Sequence, residues 1–234
     1  MRKIITTGIL WSFFISSVLP QDREFGGGRF VKRVEYNLIV YEDGYNVDSK
    51  GEIEKLFFGD FNAPVEFSFL PSSEAAFVNQ PSGFRVVKGK SKTSYVLEVK
   101  YISNYEEAQE EASKNYPISL GMSAEQNHKY MLKLLKVETK SFPVSNQFAE
   151  KLYEKMVLLI DNFKAKGVPP MILDGYSVVF RNVVEDEVWS LSIHEPQGDA
   201  LKMADLCRQI ITDADAKKTD ESKYLSVLGT FEDK

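Results

Sequence analysis

The chain of 234 residues carries 34 acidic and 29 basic side chains, a net charge of −5, with 43% hydrophobic residues and one cysteine. Its lysines are interleaved with acids, which argues against a nucleic-acid partner, since nucleic-acid binders present basic stripes. A single thiol, Cys207, rules out an intrachain disulfide framework.

The first residues have the parts of an export signal. Arg2 and Lys3 form a positive start, Ile4 to Leu19 is apolar and uncharged, and the polar segment Gln21-Asp22-Arg23-Glu24 follows Pro20. The apolar run is shorter than the roughly 20 residues that cross a bilayer. Residues 1–20 are therefore expected to be a cleavable signal peptide, cut between Ser17 and Gln21, leaving a soluble product with no stable membrane anchor. No cysteine follows the run, as a lipid-anchored lipoprotein requires, and cleavage removes two basic residues and no acid, taking the net charge from −5 to −7. The chain has no Asn-x-Ser/Thr sequon. With the lone cysteine, this points to the periplasm or the cell exterior of a bacterium.

Residues 21–30, with Gly26-Gly27-Gly28, are expected to be a flexible segment. Val34, Tyr36, Leu38 and Val40 alternate with other residues and predict a strand. Val65, Phe67 and Phe69 predict a second, closed by Pro71. Residues 84–87 and 93–102 flank Lys88-Gly89-Lys90-Ser91 as a hairpin, with Thr93, Tyr95, Leu97, Val99 and Tyr101 on one face. Asn104 followed by Glu107 has capping-box spacing and opens an acidic helix over 105–115, stopped by Pro117. Residues 123–141 are ambiguous. Ser123-Ala124-Glu125-Gln126 and the spacing of Lys129, Lys133, Lys136 and Lys140 suit a helix, but Leu132-Lys133-Leu134 and Val137-Glu138-Thr139 favour a strand over 129–141.

The last third is better defined. Ser145 predicts an N-cap, and Phe148, Leu152, Met156, Leu159, Ile160 and Phe163 form one helical stripe, ended by Gly167 and Pro169-Pro170. Asp174-Gly175 marks a turn. Strands 176–184 and 187–194 pair with Val178 facing Ile193, Phe180 facing Leu191 and Asn182 facing Trp189. That register puts Ser177, Arg181, Ser190, Ser192 and His194 on the opposite, polar face. A final helix runs from an Asp199 cap through Met203, Leu206, Cys207, Ile210 and Ala214. Beyond it, residues 215–234 read as a polar tail in which Tyr224, Leu225, Val227 and Leu228 have the character to dock.

Strands in the first half and helix–β-hairpin–helix in the second predict an α+β fold, with helices packed on an antiparallel sheet in two layers. Residues 31–214 form one globular region, with a sub-boundary near 104–125.

Nothing in the pattern implies a cofactor or a metal. Gly26-Gly27-Gly28 lacks the Lys-Ser/Thr of a phosphate loop, and the two histidines, His128 and His194, have no zinc-binding spacing. His194 lies two residues from Ser192, and such neighbours on a strand are roughly 7 Å apart, too far for a direct nucleophile–base hydrogen bond. Cys207 sits on the apolar stripe and reads as core. Glu106, Glu107, Glu110 and Glu111 read as a solvated face. The run Phe57-Phe58-Gly59-Asp60-Phe61 reads as core, or else as an exposed platform of Phe57, Phe58 and Phe61 for a protein or carbohydrate ligand. The expectation is thus an exported, non-catalytic binding module. The alternative is a periplasmic hydrolase using carboxylates, with His194, Arg181 and Ser192 on the polar hairpin face.

Overall fold

The computed structural model describes residues 31–35, 50–59, 63–71, 80–91, 94–117, 124–163, 175–185 and 187–231. The residues expected as signal peptide and flexible segment, and most of the strand expected over 34–40, lie outside them.

The strands in chain order are β1 (Val31–Glu35), β2 (Val65–Pro71), β3 (Ser82–Lys88), β4 (Tyr95–Ile102), β5 (Val137–Val144), β6 (Tyr176–Val184) and β7 (Glu187–His194). Among the described residues they form one seven-stranded sheet in the order β1-β7-β6-β2-β3-β4-β5. Every neighbouring pair is antiparallel except β1 and β7. The β6–β7 hairpin has the register that its alternation predicts, with Val178 opposite Ile193, Phe180 opposite Leu191 and Asn182 opposite Trp189. β2 then lies beside β6, with Phe67 opposite Phe180 and their rings 5.4 Å apart.

One face of this sheet is apolar and carries three helices: α4 (Asn146–Asn162), α5 (Gly198–Asp215) and α6 (Glu221–Leu228). Phe67, Phe84, Phe180 and Leu191 are fully buried there against Phe148, Leu152, Met156 and Ile160 of α4 and Met203, Cys207 and Ile210 of α5. Each such side chain contributes about 1.5–3 kcal/mol through burial. Ser145 caps α4 as expected, its hydroxyl accepting from Phe148 N at 3.2 Å. Asp199 does not cap α5. The N-cap is Gln197, and Asp199 lies in the first turn, where its charge suits the positive end of the helix. The segment expected as a polar tail carries α6, which buries Tyr224 and Leu228 in this core. Tyr224 OH donates to Asp213 at 2.9 Å, and Glu221 receives both the backbone N–H and the hydroxyl of Ser145.

Three more helices are α1 (Glu52–Phe58), α2 (Tyr105–Asn115) and α3 (Ala124–Leu134). The strand expected over 129–141 is corrected: residues 129–134 belong to α3, and the strand begins at Val137. Met131 decides this, because the helix buries it with Ala108 and Ala112 of α2. Asn104 makes no capping bond from its side chain. Its amide donates to Leu134 O at 2.9 Å and its oxygen accepts from Lys136 N at 2.7 Å, so it fixes the α3–β5 junction instead. Phe57 and Phe58 of α1 pack with Ile102, Tyr105, Leu135 and Val137.

Candidate functional site

The polar face of the sheet is the candidate site. The register places Glu66 of β2 beside Arg181 of β6, and Arg181 beside Ser190 of β7. These side chains alternate with the core residues Phe67, Phe180 and Leu191, so they project on the opposite side of the sheet. α1 lies over them. Its Glu54 Oε1 sits 3.2 Å from Arg181 Nη2, while Lys50, just before the helix, donates to Glu66 Oε1 at 3.0 Å. Ala63 N also donates to Glu66 Oε1, at 2.8 Å, and Gly51 N donates to Glu54 Oε2, at 3.0 Å.

α1 can come this close because β3 offers it a glycine. A Cβ on Gly83 would meet Phe67 O at 2.5 Å and the Phe58 ring at 3.2 Å. Phe58 in turn stacks under the Lys50 ammonium, 5.4 Å from ring centroid to Nζ.

Two acids and two bases thus form a neutral set that is nearly sealed from water: Lys50 is 6% exposed, Glu54 5%, Glu66 2% and Arg181 3%. Burial pushes the Glu66 carboxyl up, with Lys50 and Arg181 opposing, and burial pushes the Lys50 ammonium down, with Glu66 opposing. Arg181 Nε and Glu66 Oε2 face each other at 3.7 Å, and neither makes a hydrogen bond. Asn182, on the other side of β6, donates to Pro64 O at 2.9 Å. The arrangement ties α1 to the sheet and keeps Arg181 nearly out of contact with solvent.

The other expected site residues are spread along the hairpin. His194 lies opposite Ser177, with Nδ1 3.2 Å from Ser177 Oγ, and Ser192 lies opposite Val179. Arg181 and Ser177 are four positions apart on β6, so roughly 13 Å separates them. The structure therefore joins His194 to Ser177. Along this ladder Ser192 lies two pairs and Arg181 four pairs from His194, whereas the same register sets Ser177 directly against it. Just beyond it, Glu195 turns back at φ 50° and accepts from Tyr176 N at 2.8 Å.

Of the two readings of the aromatic run, core holds for Phe57 and Phe58, which are 2% and 4% exposed and held between α1 and the sheet, so they are no exposed platform; Phe61 lies outside the described residues. Cys207 is buried, and burial pushes its thiol well up. His128 is exposed on α3, 2.8 Å from Glu52 of α1. Glu106, Glu107, Glu110 and Glu111 are exposed along α2. Among the described residues, no group of three His, Cys, Asp or Glu side chains is placed to hold a metal ion.

A groove of about 410 Å³ between α5 and α6 has no counterpart in the sequence reading. Leu201, Leu206 and Val227 form its apolar wall, with Lys202, Lys223 and Asp205 around it. Val227 is half-buried against the core and Leu201 is half-buried on α5, so part of each side chain is left to the groove. Lys202 is fixed here, donating to Thr230 O at 3.1 Å with its ammonium over the Phe231 ring. A second hollow, of about 580 Å³, runs along the polar residues Glu106, Gln109, Glu110, Ser113 and Lys114 of α2.

No family model matches the chain, and no curated protein or solved structure is significantly similar to it.

Proposed function

We propose that the chain is an exported, non-catalytic binding module, working in the periplasm or at the exterior of a bacterial cell, that takes a segment of a protein partner into the α5–α6 groove. The export half of the reading rests on Arg2, Lys3 and the apolar run Ile4 to Leu19. The observation that carries the binding half is the groove, whose aliphatic wall of Leu201, Leu206 and Val227 is flanked by two lysines. A groove between helices, apolar inside and charged at its rim, suits an amphipathic segment with acidic residues. Sugars favour aromatic stacking surfaces, and Phe57 and Phe58 are buried.

A peptide-display selection on the purified chain tests this. Acidic amphipathic peptides should be enriched, and Leu201→Arg should lose them while keeping the fold. A selection that enriches nothing, or one indifferent to Leu201→Arg, overturns the groove as the site.

One observation favours the hydrolase reading: the 3.2 Å contact between Ser177 and His194, a serine beside a base. Turnover of p-nitrophenyl acetate above the buffer rate, abolished by Ser177→Ala and by His194→Ala alike, would support it. Equal rates in all three chains would remove it.

A further inference from the structure

Among the described residues the sheet ends on β5, whose Glu138, Thr139, Ser141 and Pro143 are exposed. The direction of its backbone groups follows from the bond of Ser103 N to Lys136 O at 3.0 Å, one step beyond the Ile102–Val137 pair. Residues alternate between bonded and non-bonded pairs along an antiparallel ladder. The even-numbered residues of β5 are therefore the ones bonded to β4. Val137, Thr139 and Ser141 then present both N–H and C=O away from the sheet, and Pro143 presents only its C=O.

We propose that this edge pairs with the same edge of a second copy, antiparallel about a two-fold axis at Thr139. In that register Thr139 meets Thr139 of the other copy and Val137 meets Ser141, so all three outward donors find acceptors. Pro143 falls beyond the last of these pairs, where no donor is needed; a register centred on Ser141 would set it opposite Thr139 and leave a carbonyl unmatched. The side chains agree with the same choice. Glu138 and Lys140 lie on one face of β5 and meet each other's counterparts across the axis, giving two opposite-charge cross-strand contacts. Both are pre-positioned, since Tyr101 OH donates to Glu138 at 3.0 Å and the Lys140 ammonium lies over the Tyr101 ring and against Asp215. Pairing of this kind covers an edge that otherwise recruits unrelated strands.

Sedimentation velocity of the purified chain between about 1 and 200 μM spans the range of a small edge-to-edge interface. The chain should dimerise. Thr139→Pro removes an outward N–H that β4 does not use, and should give a monomer with unchanged circular dichroism. Glu138→Lys and Lys140→Glu each create like-charge contacts and should raise the dimer dissociation constant roughly tenfold. An equimolar mixture of those two chains restores both opposite-charge contacts and should dimerise like the wild type. A wild-type monomer throughout the range, a dimer untouched by Thr139→Pro, or a mixture no better than either charge variant alone would each overturn the proposal.

Discussion

Glu54 and Arg181 are 127 residues apart in the chain, yet the Glu54 carboxylate lies 3.2 Å from the Arg181 guanidinium, both nearly sealed from water. The contact ties a short helix to the middle of the sheet. Removing one member of a buried charged set leaves the others without compensation, which costs about 3–5 kcal/mol. Arg181→Met should therefore lower the urea midpoint by an amount matching that loss, whereas Arg85→Met, whose bond to Glu98 keeps partial access to water, should cost less, about 1 kcal/mol.

Gly83 lets α1 approach. Gly83→Ala drives a Cβ against the backbone oxygen of Phe67 and the ring of Phe58, and should cost about 1–3 kcal/mol. A thermal melt followed by near-ultraviolet circular dichroism checks this, since Phe57 and Phe58 move first.

Alkaline stability follows from the tyrosines. Tyr95, Tyr105, Tyr153, Tyr176 and Tyr224 are all held above the ordinary value of 10.0, burial being the main cause in each. For Tyr224 the hydrogen bond to Asp213 adds to it. A group whose folded value is raised contributes stability that is fully present below its unfolded value and is lost as pH rises through the folded one. The fold should hold near pH 9 and weaken above pH 10. A spectrophotometric titration at alkaline pH should show these five ionising late and together with unfolding, and Tyr224→Phe should make the loss of stability with pH shallower.

Cys207 should be inert to Ellman's reagent in the native chain and react with full stoichiometry in denaturant, because burial keeps its thiol protonated and out of reach.

The parts of the fold that could be read from the sequence are those whose partners are near in the chain. The β6–β7 register needed only two alternating runs and a turn, and the α4 stripe needed only its own spacing. The β2–β6 pairing, Phe67 on Phe180, joins strands with β3, β4, α2, α3, β5 and α4 between them in the chain, and no local pattern announces it. Within residues 129–134, Leu132-Lys133-Leu134 alternates like a strand, while the packing of Met131 on Ala108 and Ala112 holds the segment helical. The surroundings of the candidate site residues depend on the same long-range level. Arg181 was placed on the correct face, but whether it is open to substrate depends on α1, which arrives from far upstream. Phe57 and Phe58 carry the same composition as a ligand platform and are buried by the same docking.

Backbone amide exchange over Glu52–Phe58 decides whether the charged face is closed in solution. A clamped α1 protects its helix-bonded amides, such as Lys55 N to Gly51 O, so that they exchange at least about 100-fold more slowly than an unstructured peptide. Arg181→Met should speed that exchange. Exchange at the unstructured rate in the unaltered chain would contradict the closed face: α1 would be off the sheet, and Arg181 and Ser190 would stand open to a substrate.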